Sequence, residues 1–343
     1  MASSTPPLQT APQPPIAPQP LIPSQPPNLR TWKIYCGTFL VIWAVLVFGF
    51  GLWEPVLAHW RMSLVMIVGS LVAGSTPMGG GTVAFPILVM VFGQAPANAR
   101  NFGLIIQALG MTSAMIFMIG RRVPLPFRLL AGSSAGSILG FLAGTFLIGP
   151  QLPAGLVKLL FSCLWMSFGL LTLAKNTEIC SLKGKAPRDA LGVGFAAGLI
   201  GGTVAAMIGV GVEFAIYAVM VLIFRSDLKI AIPTAVAAAA LASIVGAGLH
   251  ISLRDIDNEA FYNWMAAGPI VIFGAPTGTW LVSVLPRVKV LYFVSALCIF
   301  QFGWTLWTTA HTATEWTFTA GAMAVAVITL TVLYRAGKSG TTQ

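Results

Sequence analysis

Long apolar segments separated by short polar ones dominate this 343-residue chain. A helix needs about 20 apolar residues to cross the hydrocarbon core of a membrane. The chain is therefore predicted to be an all-α polytopic membrane protein. About eight segments approach or exceed that length, and we predict full spans at 34–52, 98–119, 127–148, 154–174, 230–250, 263–285, 290–307 and 316–334.

Two further apolar stretches, 62–93 and 190–224, are too long for one helix and are interrupted inside. The first is interrupted by the Pro- and Gly-rich residues 75–81, and the second around 201–203 and again at 209–211. Proline removes a backbone donor, and adjacent glycines favour non-helical dihedral angles. Each stretch is therefore predicted to form two half-helices of about 12 residues around an unwound centre.

The distribution of Lys and Arg indicates how these broken stretches lie in the membrane. If both return to the side from which they enter, 15 of the 19 basic residues face the cytoplasm and 4 face outside. If both cross once, the division is 10 to 9. Because cytoplasmic loops are enriched in Lys and Arg, the first division predicts two re-entrant hairpins and cytoplasmic termini.

The two hairpins enter from opposite sides, which predicts an inverted repeat. Matching residues recur at an offset of 130, among them Gly81 and Gly211, Ser113 and Ser243. Inverted repeats with broken helices at the bilayer midplane are typical of secondary transporters. The predicted organisation is a disordered Pro-rich cytoplasmic tail (1–29), a first span with an outer loop (30–60), repeat A (61–175), inverted repeat B (189–310), and a last span with a cytoplasmic tail (311–343).

Composition narrows the class of protein. The chain is 57% hydrophobic and 8% charged, with a mean hydropathy of +0.86, which excludes a water-soluble enzyme. The net charge of +10 reflects basic cytoplasmic loops, so a lipid bilayer rather than a nucleic acid is the expected partner. The four cysteines show no metal-ligand spacing, and neither a metal site nor a disulfide framework is predicted. The oligomeric state is left open.

The unwound centres are the first candidate site. Their second half-helices begin near Thr82 and Val212, and exposed N–H groups together with helix dipoles attract anions there. The alternative is that the glycines only allow close helix packing. The substrate-binding candidates at these centres are Gly79, Gly80, Gly81, Thr82, Gly209 and Gly211.

Glu213 is the only acidic residue deep in the apolar sequence. A carboxylate inside a membrane is a candidate functional group, because burying its charge is costly. Near an anion site it would repel an oxyanion when ionised and permit binding when protonated, which predicts proton coupling. Two alternatives stay open: a permanently protonated Glu213, or a carboxylate bonded to N–H groups of its own half-helix.

Polar residues on neighbouring spans are further candidates for substrate binding. Gln107 lies nine residues into a predicted span, Ser113 and Ser243 match in the repeat alignment, and Thr234 follows Pro233. Their amide and hydroxyl groups can donate to an oxyanion, although Ser and Thr in membrane helices often bond a carbonyl of their own helix.

Several of these motifs together resemble a known family. The first half carries Pro77-Met78-Gly79-Gly80-Gly81, Pro86, ARNFGLIIQ at 99–107 and GMT at 110–112; the second carries Gly209-Val210-Gly211 and AIPT at 231–234. Over about residues 61–305 the chain resembles the TauE/SafE sulfite exporter family, also called the 4-toluenesulfonate uptake permease family. The resemblance implies a transporter of sulfite, organosulfonates or related sulfur oxyanions in the bacterial inner membrane, with no cofactor.

The second half departs from the family pattern. Val210 and Val212 interrupt the glycines, Ile216 stands where a proline is expected, and Glu213 adds an acid, so the particular substrate is open. The alternative to a transporter is an anion channel with two re-entrant hairpins. An enzyme is not predicted, because Glu213 has no nucleophile, base or metal-ligand partner in the apolar sequence.

Overall fold

The computed structural model describes residues 27–184, 187, 189–284, 286–309 and 312–339. Most of the predicted Pro-rich tail, 1–29, lies outside the described residues. Within them the regular secondary structure is helical, which confirms the all-α prediction. The helices are α1 (Arg30–Ala44), α2 (Trp53–Ala58), α3 (Trp60–Ser75), α4 (Gly81–Pro86), α5 (Pro96–Gly120), α6 (Phe127–Ala143), α7 (Ala154–Ser181), α8 (Leu191–Ile208), α9 (Val212–Ala218), α10 (Leu228–Ser252), α11 (Asn258–Val284), α12 (Arg287–Thr308) and α13 (Ala313–Ser339).

Seven helices in the described part of the chain are long and apolar enough to cross a membrane. Six of them coincide with predicted spans, and the seventh is α8, which was predicted as a short hairpin arm. The two other predicted spans form the long helices α11 and α12. The chain is therefore a multi-pass membrane protein.

The first broken stretch contains the predicted interruption. Helix α3 ends at Ser75, Thr76 has extended backbone angles, and the helix resumes at Gly81 as α4 with a π-helical turn at Ile87–Val91. A Cβ built on Gly69, in α3, would lie 3.6 Å from the Cβ of Val83, in α4. The second arm thus doubles back along the first.

The second broken stretch reverses in the same way. Helix α8 ends with Gly209 in the left-handed conformation. The N–H of Gly209 donates a hydrogen bond to the carbonyl oxygen of Ala205 at 2.8 Å. Helix α9 starts at Val212 and continues as a π-helical turn, Val219–Ile223. A Cβ on Gly201 would lie 2.6 Å from the Cα of Val212, so α9 folds back against α8.

The predicted interruption at 201–203 is wrong, because α8 runs through it without a break. The reason lies in the neighbouring helix α6: a Cβ on Gly202 would come within 2.9 Å of the backbone of Ser137. These glycines serve close helix packing, which leaves the helical hydrogen bonds intact. The first arms are accordingly longer than the predicted 12 residues, with 16 in α3 and 18 in α8.

Close backbone contacts hold both first arms in place. A Cβ at Gly136 of α6 would collide with the carbonyl of Phe195 in α8, and one at Gly74 of α3 with the carbonyl of Ala275 in α11. Glycine at such contacts lets helix backbones approach closely. Close packing matters here because the hydrophobic effect does not drive helix association within lipid. The pairs α6–α8 and α3–α11 therefore fix the two interruptions relative to the rest of the bundle.

The central helices are α5 and α10, which pack against each other and against α11 and α6 respectively. Most of each central helix is buried, whereas α1 and α13 are largely exposed at the periphery. Helix α7 packs against α12. This arrangement brings both interruptions to the inner pair of helices.

Candidate functional site

The two interruptions meet at one face of α5. A Cβ on Gly103 would lie 3.8 Å from the Cα of Gly81 in the first break and 3.9 Å from the carbonyl oxygen of Gly209 in the second. One turn further along α5, at the i+4 position, is Gln107. Segments that lie far apart in the sequence thus converge on this short length of α5.

Gln107 links the second break to the first. Its side chain is buried, with the residue 2% exposed, and its Nε2 donates to the carbonyl of Gly209 at 2.9 Å. Its Oε1 has no hydrogen-bond partner within the described residues. Among the described residues, the NH₂ group of this amide therefore has a hydrogen-bond partner and the oxygen has none.

Glu213 lies in the first turn of α9 and is 3% exposed. Its Oε2 accepts a hydrogen bond from the backbone N–H of Gly211 at 3.2 Å. Its Oε1 is buried and, among the residues that the structure describes, has no partner. The bonding to its own half-helix that the sequence left open is present, but for one of the two oxygens only.

Gly79 is the point where the two half-satisfied side chains come together. It has a φ of +71°, the left-handed region in which a side chain is strained. A Cβ there would collide with Glu213 Oε1 and lie 2.7 Å from Gln107 Oε1. The two unpartnered oxygens therefore face the same spot on the first break, and only glycine leaves room for them.

The remaining space is small. A Cβ on Gly80 would make ordinary contact with the Cγ of Gln107 at 3.4 Å, while one on Gly81 would come within 2.7 Å of Val210 Cγ1. The cavity beside Gly80 and Gln107 measures about 10 Å³, which is near the minimum for one water molecule. A four-atom oxyanion does not fit in this cavity.

The charged residues on the helices around this site lie towards the helix ends. Helix α8 has no ionisable residue, and the other helices near Glu213 carry theirs towards their ends. An anion here would have to rely on N–H, amide or hydroxyl donors, and an ionised Glu213 would oppose it. The charged residues on these helices are Arg100 on α5, Arg128 on α6, Lys158, Lys175 and Glu178 on α7, and Lys229 and His250 on α10.

The structure places the remaining predicted residues as follows. Ser113 donates to Ile272 O at 2.6 Å, and Thr234 donates to Ile230 O at 2.7 Å within its own helix. Both hydroxyl hydrogens are thereby occupied. Ser243 is buried on α10, and the side chain of Thr82 lies outside the described residues.

The sequence reasoning missed Gly103 as part of this site. Gly103 and Gln107 are four residues apart, a spacing that places both on the same helix face. That spacing was available in the sequence. The sequence did not show that the backbone of Gly81 and Gly209 packs against Gly103, which is why a glycine is needed there.

A second polar cluster joins the beginning of α5 to the loop after α10. Arg100 and His250 both contact Asp255 Oδ2, at 3.3 and 2.7 Å, and Asn101 Nδ2 donates to the Asp255 carbonyl at 2.7 Å. A Cβ on Gly209 would lie 2.9 Å from the carbonyl of Arg100. The second break is thus packed directly beneath this cluster.

Comparison with known proteins identifies a family. The family model "Sulfite exporter TauE/SafE" matches residues 62–303. The match spans α3 to α12 and includes both breaks, Gln107 and Glu213. Neither the search of curated proteins nor the search of solved structures found a match.

Proposed function

The chain belongs to the sulfite exporter TauE/SafE family, a family of membrane transporters, and on this premise we propose a specific activity. The protein is a secondary transporter that moves sulfite, an organosulfonate or a related sulfur-containing oxyanion. It acts in the bacterial inner membrane with both termini in the cytoplasm. Transport is coupled to protons through Glu213.

One observation carries the proposal: two interrupted helices bring a buried amide and a buried carboxyl group to one point. Irregular backbone within a membrane is tolerated where it is buried in protein or lines a cavity. In secondary transporters such discontinuous helices form the substrate and coupling-ion sites near the midplane. The proposed substrate site comprises Gly79, Gly80, Gly81, Thr82, Gln107, Gly209 and Gly211.

Helix packing supports an inverted repeat of 61–175 and 189–310. In repeat order, α3, α5, α6 and α7 correspond to α8, α10, α11 and α12. Contacts between the halves occur in matched pairs: α3 packs on α11 as α8 packs on α6, and α5 on α11 as α10 on α6. Gly144 approaches Thr203 of α8, and its counterpart Gly274 approaches Ser70 of α3.

The position of Glu213 suggests how proton and anion are coupled. Its ionised carboxylate would hold the N–H of Gly211, a donor that an incoming oxyanion could otherwise use. Protonation removes the negative charge and weakens that bond, because charge-assisted hydrogen bonds are about twice as strong as neutral ones. The oxyanion then takes the N–H donor of Gly211.

The small volume of the cavity beside Gln107 favours a transporter over the alternative anion channel. A conducting channel needs a continuous path, whereas alternating access passes through states in which the site is sealed. The cavity of about 10 Å³ beside Gln107 fits such a sealed state.

The test is transport by purified protein in liposomes. We expect accumulation of labelled sulfite or methanesulfonate when a pH gradient is imposed. Glu213→Gln should keep exchange between equal pools and lose accumulation driven by the pH gradient, because the amide keeps the size of the side chain but cannot change charge. Exposed Glu54→Gln serves as the control.

Three results would contradict different parts of the proposal. Unchanged pH-driven accumulation in Glu213→Gln would remove proton coupling from the proposal. Failure of the wild-type protein to move any sulfur oxyanion would reject the transport function. A continuous ion current that is insensitive to the pH gradient would favour a channel.

A further inference from the structure

Two buried oxygen atoms at the meeting point of the two breaks have no hydrogen-bond donor within the described residues. Glu213 Oε1 and Gln107 Oε1 are both buried, both lack a donor among the described residues, and both face Gly79. Two buried acceptors directed at one point repel each other, and each unmade hydrogen bond in a low-dielectric interior is costly. The two oxygens gain a partner only if a cation or a hydrogen-bond donor lies between them.

The other atoms around the pair favour a proton over a metal cation. The second carboxylate oxygen of Glu213 already accepts the N–H of Gly211, a donor that would oppose a neighbouring cation. The nearby carbonyl of Gly209 is directed to Gln107 Nε2. These two oxygen atoms, which could otherwise join a cation's coordination shell, are thus already engaged.

We propose that Glu213 is protonated on Oε1 in this conformation and donates that hydrogen to Gln107 Oε1, which makes Gln107 the residue that senses the protonation of Glu213. The proton comes from water on one side of the membrane and returns to water on the other. No other bond is made or broken.

The geometry also indicates what loss of the proton does. Deprotonation places a negative charge against the carbonyl oxygen of Gln107, and the amide rotates away from it. Since the same amide holds Gly209 through Nε2, this rotation releases the second break. Gln107 is therefore a positioning residue that transmits the state of Glu213 to the backbone around the substrate, a role in coupling that rests on the proposed function.

The charged residues of the neighbouring helices lie towards the helix ends. Arg100 and His250, which share Asp255, lie near the ends of α5 and α10, and α8 contributes none. Gln107 lies seven residues beyond Arg100, about 10 Å along the helix axis. Tyr217, one turn after Glu213 on α9, is buried.

The experiment is an infrared pH titration of the full-length protein in lipid, which follows the C=O stretch of protonated carboxyl groups. We expect a band at neutral pH that Glu213→Gln abolishes. In Gln107→Leu the band should shift to higher frequency, because the O–H has lost its acceptor. Its titration midpoint should fall by about one pH unit, the value of one neutral hydrogen bond.

Gln301→Leu is the matched control, because Gln301 is a second buried glutamine that lies on another helix, α12. It should leave the band and the midpoint unchanged. Gln107→Asn, which keeps an amide on a shorter side chain, should give an intermediate shift and guards against misfolding of the leucine variant.

Two outcomes would overturn the inference: a Glu213 band that is indifferent to Gln107→Leu, or absence of the band at neutral pH with a melting temperature raised by Na⁺ instead. Sulfite transport is measured on the same preparations. A proton shared as described in a protein that transports no sulfur oxyanion would reject the proposed function and leave the hydrogen bond in place.

Discussion

The two interrupted helices share a hairpin shape but differ in how their polar groups are satisfied. In the first, the hydroxyls of Ser75 and Thr76 turn back to Val72 O in their own helix, at 3.3 and 2.8 Å. In the second, the backbone is held by side chains: Gln107 bonds Gly209 O, and Glu213 bonds the N–H of Gly211. The hydroxyls of the first break thus bond within their own helix. The backbone of the second break depends on two side chains, one of which is ionisable.

This difference assigns different roles to the two halves. The first break supplies shape, since Gly79 makes room for the oxygens of Glu213 and Gln107. The second supplies chemistry, since it carries the ionisable group. The two breaks thus differ in chemistry although the helices around them pack in matched pairs.

The largest effect is expected from Gly79→Ala. The left-handed backbone strains any side chain by about 1–2 kcal/mol, and overpacking against Glu213 and Gln107 adds about 1–3 kcal/mol. We expect the free energy of unfolding to fall by about 3 kcal/mol and transport to be lost. Thermal unfolding and liposome uptake measure both.

The neighbouring Gly80→Ala is the control for this prediction. Gly80 has a right-handed helical backbone, and its Cβ would make only ordinary contact. It should cost less than about 1 kcal/mol. If both alanine variants behave alike, the first break does not act by making room for the Glu213–Gln107 pair.

Gly209→Ala is expected to cost about 2 kcal/mol, which combines left-handed strain with a contact of 2.9 Å to the carbonyl of Arg100. The carbonyl at 209 still accepts from Gln107, so residual transport should keep its dependence on the pH gradient. Gly192→Ala, with open space around its Cβ, should be neutral or slightly stabilising. Loss of the pH dependence in Gly209→Ala would place part of the coupling in the backbone itself.

Thr76→Val tests whether the first break contributes a polar group. Its hydroxyl bonds a carbonyl of α3, so the substitution should change stability by about 1 kcal/mol or less and leave the substrate affinity unchanged. Affinity is measured as the sulfite concentration that gives half-maximal uptake. A large fall in affinity would make the two breaks chemically equivalent.

The smallest effect is expected at the loop that follows the second break. Arg225 donates to Glu178 at 2.5 Å, and this hydrogen bond lowers the pKa of Glu178 below its ordinary value of 4.5. The pair therefore stabilises the fold above that pH, and its contribution is lost as the pH falls through the lower folded value.

Because Glu178 and Arg225 are partly exposed, the contribution should be about 0.5 kcal/mol. Glu178→Gln should flatten the stability profile below pH 4.5 in chemical unfolding, whereas Glu54→Gln should not. An equal flattening in both variants would contradict a specific role for this ion pair.

The sequence by itself determined the helical membrane class, the positions of most spans, the two hairpin breaks and the candidate Glu213. These follow from local rules: a span needs a minimum apolar length, and proline and clustered glycines interrupt a helix. The same rules failed at 201–203, where the glycines remain in α8. Their conformation depends on the helix that packs against them.

Only the tertiary structure decided which polar groups form the site. Gln107 lies in α5, Glu213 in α9 and Gly79 in the break between α3 and α4. Their meeting depends on how α3 packs on α11 and α8 packs on α6. Ser113 and Thr234 were also predicted to bind the substrate, but their hydroxyls are bonded to backbone carbonyls. Helix packing fixes these partners, because backbone contact at glycines sets the distance and rotation of each helix.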